Sequence, residues 1–165
     1  MRVRISTASG SERDSKLSAL ATARGTDAAR YLNDIRPVVR PPQPFTLGEG
    51  PANVVGELQA TDADGEALGN WQIKGGDGAY KFAINPQTGR ITIGDAASID
   101  FVNVDSYDLI VMLSDGKLPS KDEVVTINIP TKVNVCHKGR KTLNISRFDV
   151  PDHLGHGDGI GRCVQ

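Results

Sequence analysis

Residues 106–115 read SYDLIVMLSD, and this stretch decides the fold. Tyr107, Leu109, Val111 and Leu113 occupy every second position. Successive side chains of an extended chain point to opposite faces, so these four make one apolar face of a strand. KDEVVTINI, residues 121–129, repeats the pattern with Val125, Ile127 and Ile129. Further candidate strands lie at 45–48, 53–60, 70–74, 79–84 and 90–94. DADGEALGN, GGDG and NPQTG separate them with Gly or Asn, residues that reach positive φ at little cost. Together these features predict a mainly-β protein: a seven-stranded Greek-key β-sandwich over residues 45–130.

Outward from this centre the pattern changes. RPVVRPPQPF, residues 36–45, holds four prolines that remove amide donors and favour an extended backbone, so 36–44 is expected to be a linker. Before it, RVRIST alternates like a strand. SKLSALATARGTDAARYLNDI, residues 15–35, spaces its apolar side chains by three and four, which predicts an N-terminal helix. Residues 1–35 thus form a strand–helix segment too small to bury a core alone. After the sandwich, residues 131–165 read as a small β-hairpin-plus-turn module: strands KVNVCHK and KTLNIS, then a helical turn starting near Pro151.

Charge follows the same partition. Residues 45–130 carry five Lys/Arg and thirteen Asp/Glu, whereas the flanking segments are basic. An acidic, strand-rich centre argues against nucleic acid as a partner and suits divalent cations. No apolar run reaches the roughly 18–20 residues of a membrane span, and MRVRISTASG lacks the apolar region of a signal peptide. Neither a G-x-S-x-G elbow nor a phosphate-binding loop occurs. Ser146, His153 and Asp158 can be grouped on paper as a trio, but any chain of this length offers one. No enzyme is predicted.

FTLGEGPANVVGELQATDADGEALGNWQI (45–73), YKFAINPQTGRITI (80–93) and YDLIVMLSDGK (107–117) resemble, in order, the motifs of a bacterial cadherin-like repeat. The resemblance runs from Phe45 to about Ile129 and implies a cadherin/immunoglobulin-like sandwich. It also implies calcium ligands: Asp62, Asp64 and Asp115 at one pole, Glu49 and Asp100 at the other. Calcium takes six to eight oxygens, so carboxylates must converge from several loops. Val102 stands where the family has a glutamate, and IPTKVN replaces its acidic linker, so the second pole is expected to be empty. Calcium affinity in the class of extracellular modules, roughly 10⁻⁴–10⁻³ M, is expected at the first. At the N-terminus, LATARGTDAARYL (20–32) resembles the last helix of OmpA-like domains, which implies a peptidoglycan role for Arg24.

Cysteine and histidine gather at the other end. Cys136, His137, His153, His156 and Cys163 are all of these residues in the chain. Three readings stand open: a Cys136–Cys163 disulfide, a Zn²⁺ site drawing on all five residues, or free thiols. A bridge would close a 28-residue loop and contribute about 3–4 kcal/mol. VCHKGRKTLNIS (135–146) and VPDHLGHGDGIGRC (150–163) resemble a short Cys/His module of bacterial secreted proteins, which implies export.

The sequence therefore predicts a calcium-tuned adhesion or spacer module of a larger bacterial surface protein, extracellular or in the cell envelope. Its partners would be neighbouring repeats, surface proteins or glycans. Two alternatives are a carbohydrate-binding module, which needs exposed rings among Trp71, Tyr80 and Phe101, and a structural zinc-binding C-terminal module.

Overall fold

Alternation in the sequence becomes register in the computed structural model, which describes residues 35–40, 44–63 and 65–164. β1 (Val38–Val39) pairs antiparallel with β4 (Ala60–Thr61). β2 (Phe45–Thr46), β9 (Glu123–Asn128), β8 (Ser106–Ser114) and β5 (Gly69–Gly75) form a four-stranded sheet in that order. β3 (Val54–Glu57), β7 (Arg90–Ile93) and β6 (Phe82–Ile84) form a three-stranded one. The two sheets share a core. Tyr107, Leu109, Val111 and Leu113 of β8 are buried with Val125 and Ile127 of β9, and they meet Val55, Phe82 and Ile91 from the other sheet. Each such side chain contributes about 1.5–3 kcal/mol by leaving water.

Two glycines make this packing possible. A Cβ on Gly56 would overlap the Phe45 ring. Gly89 has φ +70°, and a Cβ there would stand 2.8 Å from the Trp71 indole. The turn before Gly89 is held by Asn85, whose Oδ1 accepts from the amides of Gln87 and Thr88 at 2.9 and 3.0 Å. Local chemistry thus closes the β6–β7 hairpin, and packing fixes which residue must follow it.

The chain continues directly from β9 into a third sheet. β10 (Lys132–His137) lies between β11 (Lys141–Ser146) and β12 (Gly159–Ile160), with helix α1 (Val150–Gly155) between the last two in sequence. The residues from Arg36 onward form one compact unit. Val133, Val135, Val150 and Ile160 join the sandwich residues in one buried cluster.

The seven-stranded expectation is corrected. Among the described residues there are twelve strands in four sheets. β1, β2, β4 and β12 are two residues long, too short to show a period, and only their long-range partners make them strands. The only α-helix among the described residues is α1, near the C-terminus. The N-terminal helix expected at 15–35 falls almost wholly outside the described residues.

Candidate functional site

β8 connects two contrasting ends of the sandwich, about 30 Å apart for a nine-residue strand. Asp115 follows its last residue. The Asp115 Oδ1 accepts from the amides of Lys117 and Leu118, both at 2.6 Å. These bonds, Leu118 first, hold the carboxyl below its ordinary range. Its Oδ2 is buried and has no hydrogen-bond partner. The Oδ2 of Asp62 is buried as well. Gly69 pairs with Ser114, and Lys117 Nζ lies 3.5 Å from Glu66 Oε1, so the loops after Asp62 and Asp115 adjoin at this end. Asp64 lies outside the described residues. Arg36 reaches the same loop, donating from Nη1 to the Pro119 carbonyl at 3.0 Å. A buried carboxylate oxygen without a donor fits a calcium ligand, so the residues at this acidic pole suit that ion.

At the other end, Glu49 and Asp100 are placed differently. Glu49 is exposed. Asp100 is already satisfied: its Oδ1 accepts from the amides of Val102 and Asn103 at 2.9 Å, and its Oδ2 accepts from Asn103 Nδ2 at 3.0 Å. Asn103, through side chain and backbone, and then Val102 hold the carboxyl below its ordinary range. Val102 brings no oxygen beyond its backbone carbonyl. The C-terminal sheet covers this end. Asn134 Nδ2 donates to Gly48 O at 3.0 Å, and the amides of Ala52 and Asn53 donate to Arg162 O and Ile160 O at 2.8 and 2.6 Å. The Arg147 guanidinium is 2.8 Å from Asp105 Oδ1 and supplies a positive charge near Asp100.

Cys136 and Cys163 form a disulfide. Neither sulfur is then a thiolate ligand. β12 runs antiparallel to β10, with Cys136 opposite Gly159, and this pairing brings Cys163 back to the bridge. His137 and His153 converge on a residue that the candidate ligand set omitted, Asp158. Its Oδ2 is 2.7 Å from the Nδ1 of each ring. Its Oδ1 accepts from Lys138 N at 2.9 Å. The Asp158 side chain is 1% exposed, and these three bonds, Lys138 first, hold its carboxyl far below the usual range. Among the described residues, this is the one group of three metal-capable side chains with ligand atoms within 4.8 Å of one another. His156 is exposed at the end of α1, its amide bonded to His153 O, and stands outside the group. Three glycines flanking Asp158 in HGDGIG were the available signal, because such a turn can fold a carboxylate back onto a strand.

Of the candidate sugar-stacking rings, Trp71 and Phe101 are core residues, and Tyr80 alone of the three is exposed.

Comparisons with known proteins come down on the sandwich. The cadherin domain model matches residues 43–131. Protocadherin-15 of Homo sapiens and of Mus musculus are each 38% identical over 72 residues, 44% of this chain. The chain spans 4% of the length of these relatives. Among solved structures, human Protocadherin-24 EC1-2 aligns with TM-score 0.49 and 17% identity, covering 61% of this chain and 47% of that one. Drosophila N-cadherin EC1-4 aligns with TM-score 0.46 and 21% identity, covering 62% and 27%. The bacterial attribution of the repeat is corrected by the human and mouse relatives. The OmpA-like reading with Arg24 is dropped with it: the family model begins at residue 43, and residues 1–34 lie outside the described ones.

Proposed function

The chain belongs to the cadherin domain family through residues 43–131, and from that premise we propose that it is an extracellular adhesion or spacer repeat of a larger surface protein. In this reading residues 36–44 lead into a repeat at 45–130, and residues 131–165 form an attached module. The disulfide supports an oxidising, extracellular setting. No helix among the described residues is long and apolar enough to cross a membrane. A cadherin domain does no catalysis, and this chain is not an enzyme.

The proposed mechanism is mechanical. Asp62, Asp64 and Asp115 hold calcium at the acidic pole, where a preceding repeat would dock. Bound calcium supplies the positive charge that neutralises these carboxylates. With repulsion removed, the loops after β4 and β8 stiffen and present a defined surface to the neighbouring repeat or surface protein. The buried Asp115 Oδ2, left without a donor, carries this reading. Burial of Trp71 and Phe101 removes the flat aromatic pair that a glycan platform needs.

Thermal melting tests it. At 10 mM calcium and a dissociation constant near 1 mM, stabilisation of about 1.4 kcal/mol is expected. Chelator should reverse the shift, and Asp115→Asn should abolish it. A melting curve indifferent to calcium overturns the proposal.

A further inference from the structure

We propose that His137, His153 and Asp158 form a binding site for a first-row divalent cation, with Zn²⁺ the ion that fits best. The site lies in the C-terminal module and does not involve the acidic pole, so the two stand or fall separately. Its residues come from three segments: the end of β10, the middle of α1 and the turn before β12. Two of them are anchored by interactions that do not use the convergent atoms. The neighbouring Cys136 is bridged to Cys163, which anchors the end of β10. Lys138 N holds Asp158 through Oδ1, leaving Oδ2 to face the histidines. The rings meet edge to face, with centroids 5.6 Å apart and planes at 80°, so their Nδ1 atoms approach one oxygen from different directions.

One imidazole and the Lys138 amide already satisfy a buried carboxylate. A second imidazole on the same oxygen gathers two nitrogens and one oxygen within 4.8 Å of one another. That donor set matches zinc and its neighbours, which favour imidazole, and not calcium, which needs six or more oxygens. Tetrahedral bonds of about 2.0–2.1 Å set ligand atoms roughly 3.3 Å apart, so loading opens each 2.7 Å contact by about half an ångström and brings the two nitrogens to that same spacing. Each neutral ring then carries its proton on Nε2 and gives the Nδ1 lone pair to the ion. The His137 and His153 side chains are 30% and 22% exposed, which leaves a route in and room for water as the fourth ligand. Loading would tie β10, α1 and the 158 turn together beside the disulfide.

The experiment uses the full oxidised chain in saturating calcium, so that the acidic pole is already filled, and titrates Zn²⁺ by calorimetry. One Zn²⁺ per chain is expected. His137→Gln and His153→Gln should each weaken binding at least tenfold, while His156→Gln leaves it unchanged. Circular dichroism of each variant checks that it is folded. If Asp158→Asn does not fold, the two histidine variants still decide the matter. Co²⁺ added in place of Zn²⁺ should give the intense visible absorption of a four-coordinate ion, lost in the double variant. No stoichiometric uptake, or uptake undiminished in His137→Gln/His153→Gln, overturns the proposal and leaves a His–Asp–His hydrogen-bond cluster.

Discussion

The two poles of the sandwich started from similar chemistry and ended differently. Both carry acidic residues that the sequence offered as candidate calcium ligands. At the acidic pole, Asp115 keeps one oxygen buried and without a donor. At the covered pole, Asp100 has both oxygens bonded, and Arg147 brings a cation from the attached module. The lesson is that a carboxylate's type and position do not make it a ligand. What matters is whether the surrounding amides have already taken its lone pairs. Arg147, Asn134, Ile160 and Arg162 complete from within the chain an end that a repeat in an array would present to its neighbour.

The sharpest way to break this comparison is to loosen the module that covers one pole. Reducing the disulfide, or replacing Cys136 and Cys163 by Ala, should lower unfolding free energy by about 3–4 kcal/mol. Chemical denaturation of oxidised and reduced protein measures the difference; matching curves would show that the module is held without its bridge.

A smaller effect is expected at the junction itself. Gly48 has φ +85°, and a Cβ there would stand 2.8 Å from Val133 Cγ1 and 3.1 Å from Asn134 N. Gly48→Ala should cost about 1–3 kcal/mol from strain and crowding. Hydrogen exchange should show the amides of Ala52 and Asn53, which bond to the module, losing protection first. Uniform loss across the sandwich would mean that the two parts unfold as one.

Next comes the contrast between carboxylates. Asp100→Asn should keep the calcium-dependent melting shift that Asp115→Asn loses. Equal loss in both would erase the distinction between the poles.

The smallest effect concerns acid. Hydrogen bonds from Asn103 and Val102 lower the Asp100 pKa in the folded state. A lowered folded value contributes stability that is present above the unfolded pKa of about 3.9 and is lost as pH falls through the folded one. Asp100→Asn should therefore make the acid limb of stability against pH shallower below about pH 4. An unchanged limb would mean that these bonds do not favour the charged form.

Local rules made much of the centre legible. Alternation at 107, 109, 111 and 113 marked β8, and 125 and 127 marked β9, because a strand's period is written in adjacent residues. Asn85 and Gly89 announced their turn in the same way. Asp62 and Asp115 were legible only as motif positions, and the pairing of Cys136 with Cys163 only as one of three readings. The two-residue strands had no period to read, and the bacterial attribution rested on motif wording alone, against which the human and mouse relatives stand.

The sequence by itself determined the runs of β8 and β9, the turn from Asn85 to Gly89 and how acid is distributed, since these follow from neighbours a few positions apart. Tertiary structure alone decided that Asp158 gathers His137 and His153 across 21 and 5 residues. It alone decided that residues 131–164 close one pole while the Asp115 Oδ2 stays without a donor at the other. Hydrogen bonding is the physical reason: a carboxylate's role depends on which donors reach it first, and the donors are brought there by chain folded from elsewhere.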